Sequence, residues 1–119
     1  MSGDVKGRVV GVRELALGYF RKEGFRVKGE GVSVEGASGV LRVFDFVVVK
    51  GHEDHAVWLR DWNRTIGVNI IINLDTASAD VGLGKPIMVG EKFSDHAKSY
   101  SNRRQITLLT RHKMTTSLL

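Results

Sequence analysis

Residues 41–62, LRVFDFVVVKGHEDHAVWLRDW, set one carboxylate inside an otherwise apolar and largely β-branched run. Val43, Phe44, Phe46, Val47, Val48 and Val49 read as a buried strand. An ionised side chain buried there loses its hydration, so Asp45 must be hydrogen-bonded, paired with a cation or bound to a metal. Residues 51–54 supply a polar turn, and 55–61 return as a second strand with Ala56, Val57 and Leu59 as its apolar part. This pairing lays Asp45 beside the far end of the second strand, from Trp58 to Trp62, on one edge of a sheet.

Around this hairpin the rest of the chain alternates helix and strand. Residues 4–23 place Val9, Val12, Ala16, Tyr19 and Phe20 at helical spacing, with Glu14 near the boundary of the apolar face and Gly24 suited to end the helix. Residues 25–28 make a short strand. Residues 29–39, GEGVSVEGASG, read as a glycine-rich turn region with a small strand at 32–34. That region is not a phosphate loop: it lacks the closing Gly-Lys followed by Ser or Thr, and no helix follows.

Residues 63–65 connect to a stripe of Val68, Ile71, Ile72, Leu74, Ala77 and Val81. A third strand is an alternative over 67–75, but the ending ASADVG favours a helix over 67–81. Residues 85–89 form a strand. Ser94 caps a helix running through Arg103, with Asp95 in its first turn. Residues 106–109 make a last strand, and 111–119 are expected to be a flexible basic tail. The resulting class is α/β: a central mixed β-sheet flanked by helices on both faces.

At 119 residues the chain forms one domain, 1–119, and without cysteine it has no disulfide or thiolate metal site. Its four histidines show no metal-ligand spacing. No stretch is apolar enough for a membrane span and no signal-peptide pattern opens the chain, so a cytoplasmic protein without a membrane partner is expected. The net charge is +5, and after Asp95 there is no acidic residue. Lys98, Arg103, Arg104, Arg111 and Lys113 all fall in that segment, which suits a polyanion as well as it suits a solvated face.

The order of elements, the phrase EGFRV after the first helix, the acid in the long strand and the later KPIMVGEKFSDHAKSYSNRRQITLL resemble one family. These features are similar to the Mrr-type restriction endonuclease-like domains of the PD-(D/E)xK nuclease superfamily, over residues 7–110. The resemblance implies a restriction endonuclease-like fold. In those nucleases a strand Asp and a Glu-x-Lys triplet on the next strand hold Mg²⁺ against the scissile phosphate, and a Glu of the first helix often completes the shell. By that pattern Asp45 stands for the strand Asp and Glu14 for the helix Glu. The triplet falls on Val57, Trp58, Leu59, Arg60, Asp61 and Trp62, where Trp58 takes the Glu position and Arg60 the Lys position.

Trp58 cannot ligate a metal, and Arg60 keeps a charge without acting as a proton carrier near neutral pH. The expectation is therefore a DNA-binding protein, taking double-stranded DNA, whose nuclease chemistry is largely lost and which needs no cofactor. Asp45 is then a salt-bridge partner of Arg60, and Trp58 fills the emptied pocket. Arg60, Trp62 and Arg64, with Lys92, Ser94, His96, Lys98, Arg103 and Arg104, are the candidate nucleic-acid contacts. For Trp62 between two guanidiniums a surface cluster fits equally, and for Ser94 helix capping does. One alternative is a Mg²⁺-dependent endonuclease with a rearranged site of Asp45, Glu14 and Arg60, the metal held at Asp45. Another is a non-catalytic subunit that pairs, through helix 67–81, with a second copy or a related nuclease.

Overall fold

A computed structural model describes residues 11–119 of the chain, and the stretch of the expected first helix that includes Val9 lies outside them. Helix α1 (Val12–Lys22) leads into strands β1 (Arg26–Glu35), β2 (Leu41–Lys50) and β3 (Glu53–Leu59). There follow β4 (Thr65–Ile66), α2 (Val68–Asp80), β5 (Ile87–Gly90) and β6 (Lys92–Phe93). Helix α3 (Asp95–Arg104), β7 (Thr107–Thr110) and α4 (Arg111–Ser117) complete the order.

The main sheet runs β1-β2-β3-β5-β7, antiparallel across its first three strands and parallel across its last three. It is the expected mixed sheet with helices on both faces. On one face α1 and α4 cover Phe46, Val48, Val57, Ile87, Val89 and Leu109. On the other, α2 and α3 cover Phe44, Ala56 and Met88. Helix α1 buries Val12, Leu15, Ala16, Tyr19 and Phe20, a spacing that keeps one stripe on the sheet.

Residues 68–75 are helical, Gly67 being the extended N-cap, and α2 buries Ile71, Leu74, Ala77 and Ser78 within the chain's own core. The stripe expected to serve as a pairing surface is thus already covered. Of its large apolar residues, Ile72 alone is exposed.

Two other expectations are corrected. The glycine-rich stretch 29–39 is for the most part the continuous strand β1, and only the tip beyond Glu35 turns. The glycines there admit irregular strand geometry: the register jumps from Val27↔Val48 to Gly29↔Val47, and Gly31 takes φ 59°. The segment 111–119, expected to be a flexible tail, contains α4. Thr110 caps it by accepting the Lys113 N–H at 3.0 Å, and Met114 is fully buried against the α1 side of the sheet. Its terminal position and basic charge suggested a tail, but Met114 docks it to the core.

A two-stranded parallel sheet, β4 with β6, stands apart from the main sheet and pairs Thr65 with Lys92 and Ile66 with Phe93. No helix among the described residues is long and apolar enough to cross a membrane.

Candidate functional site: a guanidinium–indole ladder beside Asp45

Side chains two residues apart on a regular strand share a face. Phe44 and Phe46 do not: Phe46 lies in the core under α1 and Phe44 in the core under α2. The change of face occurs at Asp45. The β1–β2 register passes from Glu30↔Phe46 to Val32↔Phe44, stepping over Gly31 and Asp45. On the other side, the β2–β3 pairing ends at Phe46↔Val57, so the two strands part immediately beyond it.

Asp45 sits at the mouth of this fork. Its Oδ2 accepts the backbone N–H of Leu59 at 2.8 Å, serving a donor that the parting strand β2 no longer reaches. Arg60 Nη1 is 4.0 Å from the same oxygen, and both side chains are about one third exposed, 28% and 33%. The expected salt bridge is therefore long. A charge-assisted hydrogen bond to Leu59 outweighs a partly solvated ion pair at that distance.

Trp58 occupies the fork itself. Its Nε1 donates to the Val43 carbonyl at 2.9 Å, bridging the gap to β2, and its ring packs against the core under α2. The Arg60 N–H donates to the Val89 carbonyl at 2.9 Å and carries the β5 pairing one residue past the end of β3.

From there residues 58, 60, 62 and 64 form a ladder. The Arg60 guanidinium lies 4.9 Å from the Trp58 ring centre and 5.7 Å from that of Trp62. The Arg64 guanidinium lies 4.2 Å from the Trp62 ring. Alternation of cation and indole places each guanidinium against at least one π face, a favourable contact that also orients its N–H edge. Asp61, of opposite parity, turns instead toward Arg111, at 4.0 Å.

The nine expected nucleic-acid contacts do not form one patch. Lys92, exposed on β6, pairs with Thr65, the residue that follows Arg64. His96 and Lys98 follow, exposed on the first turns of α3. Ser94 is a helix cap, its hydroxyl accepting the Ala97 N–H at 3.1 Å. Arg103 and Arg104 sit at the opposite end of that helix, roughly 13 Å away at the standard rise. Arg104 is bound to Asp75 at 2.9 Å, and Tyr100 donates to the same carboxylate at 2.7 Å. Asp75 raises the pKa of both partners by stabilising their protonated forms. These contacts bind α3 to α2.

Arg111 was missed as part of this region. It holds Glu91 at 2.8 Å and so ties α4 to the segment between β5 and β6. No local sequence signal links positions 61, 91 and 111; only the fold brings them together. Asp45, Asp61 and Glu91 thus oppose Arg60 and Arg111, whereas Arg64 and Lys92 have no carboxylate within ion-pair distance among the described residues.

The donor set does not suit Mg²⁺. A hard divalent ion of this kind needs several oxygen ligands in near-octahedral array. Asp45 offers one carboxylate, already hydrogen-bonded and facing a guanidinium that repels cations. Glu14 is exposed on α1, and among the described residues no three His, Cys, Asp or Glu side chains converge to hold a metal.

No protein-family model and no curated protein matches the chain. A solved structure described as a protein of unknown function, AF1548, is similar at 18% identity with a TM-score of 0.77. The match covers 92% of this chain and 67% of that one, and it speaks for the fold.

Proposed function

We propose that the chain is a cytoplasmic nucleic-acid-binding protein of restriction endonuclease-like type whose hydrolytic chemistry has been lost, with DNA as its partner. One observation supports it above the others: an indole, hydrogen-bonded to the backbone, fills the fork beside Asp45 where metal-dependent hydrolysis requires a second carboxylate. Farther along the chain, exposed Arg64, against Trp62, and Lys92, paired with Thr65, have no carboxylate within ion-pair distance among the described residues. A phosphate backbone is the polyanion such a feature suits, since each phosphate neutralised releases counterions.

The test is a supercoiled plasmid incubated with Mg²⁺ or Mn²⁺ and either the wild type or Asp45→Ala. Both proteins retard the plasmid and neither cuts it. Divalent-dependent scission by the wild type that Asp45→Ala abolishes overturns the reading in favour of a rearranged nuclease.

A further inference from the structure

Resting on that reading, the ladder also defines which part of a nucleic acid is held. Trp58 has its ring nitrogen committed to the Val43 carbonyl and its ring packed against the core, so it is no platform for a base. Trp62 packs against the core under α2 and carries a guanidinium at 4.2 Å and another at 5.7 Å, which leaves little of its ring for a base. What remains for a ligand is the exposed Arg64 guanidinium and the part of Arg60 not engaged by its Nη1, which donates to the Leu59 carbonyl at 3.2 Å and faces Asp45. A guanidinium oriented against an aromatic ring presents paired donors to an anionic oxygen with little left to order on binding. Both guanidiniums lie against the same indole, and exposed Lys92 pairs with Thr65, next in the chain to Arg64.

We infer that Trp58, Arg60, Trp62, Arg64 and Lys92 form a comb for the sugar-phosphate backbone of one nucleic-acid strand. In it the indoles hold the guanidiniums and do not stack on bases. Binding at this comb is independent of sequence and of the bases themselves.

The experiment is fluorescence anisotropy of the full chain with two labelled probes, a mixed-sequence single-stranded deoxyoligonucleotide and a strand of equal length with every base removed. The two bind alike, and Arg64→Gln weakens both and flattens the dependence of log affinity on log salt by about 0.7, the single-strand increment for one phosphate. Lys113→Gln, an exposed change outside the comb, leaves both curves in place. Arg60→Gln with Arg64→Gln flattens the slope further; Arg64 is exposed, so the single variant decides the matter if the double variant does not fold. A loss of about tenfold or more on removing the bases shows base stacking and overturns the inference. An Arg64→Gln curve superimposed on the wild type overturns it as well. If neither probe binds even in dilute buffer, the nucleic-acid reading falls with it; binding that ignores Arg64 removes the comb alone.

Discussion

Ser38 and Asp80 are joined twice: the Ser38 backbone N–H donates to Oδ1 at 2.9 Å and its hydroxyl to Oδ2 at 2.7 Å. Arg42 Nε adds a third contact at 2.8 Å, so the end of α2 clasps the tip of the β1–β2 hairpin. Gly36 is required beneath it, because a Cβ there would meet Asp80 Oδ2 at 2.0 Å.

These partners, the Ser38 hydroxyl first and Arg42 next, hold the Asp80 pKa down from 3.8 to about 2. A carboxylate depressed on folding stabilises the native state above its unfolded pKa, and that contribution is lost as pH falls through the folded value. Asp80→Asn is therefore less thermostable than the wild type at pH 7, and the gap between their melting temperatures narrows as pH falls from about 4 to about 2. Parallel melting curves at every pH would contradict this. Gly36→Ala forces the clasp apart and costs about 1–3 kcal/mol in chemical denaturation.

Met114 anchors the chain's end to the α1 face. Met114→Ala is expected to cost about 2–5 kcal/mol, the range for a large apolar side chain removed from a packed core. Deleting residues 111–119 costs more, since Arg111 leaves with its Glu91 contact. An unchanged denaturation midpoint after deletion would show that the segment is dispensable.

Asp45→Asn keeps an acceptor for the Leu59 N–H and removes the negative charge 4.0 Å from Arg60. Affinity for DNA rises by up to about fivefold, the equivalent of one partly solvated ion pair, with little change in stability. A fall in affinity would mean that Asp45 contributes to binding, as a metal ligand does.

The mixed sheet and the helices α1, α2 and α3 were legible: α1, β2 and β5 follow from their apolar stripes and α2 from its stripe together with the ASADVG ending, whereas α4 and the small β4–β6 sheet were not. The Ser94 cap was legible because capping is a local transaction between a hydroxyl and a nearby N–H. The length of β1 was not, since glycines that signal a turn also allow a bulged strand, and only pairing with β2 distinguishes the two. At the site, the cluster of Arg60, Trp62 and Arg64 at the end of β3 could be read from the sequence. The division of the basic residues could not: Arg104 is spent on Asp75, twenty-nine positions away, and Lys92 comes next to Thr65 only through the β4–β6 pair.

The nucleic-acid reading meets its most direct test in a salt titration of the wild-type chain with a labelled DNA duplex. Binding in dilute buffer, with log affinity falling linearly as log salt rises, is the expected result; a protein contacting three phosphates gives a slope near −2.7, or about −0.9 for each. No binding at the lowest salt, or an affinity indifferent to salt, would contradict the assignment of the Arg64 and Lys92 surface to a phosphate backbone.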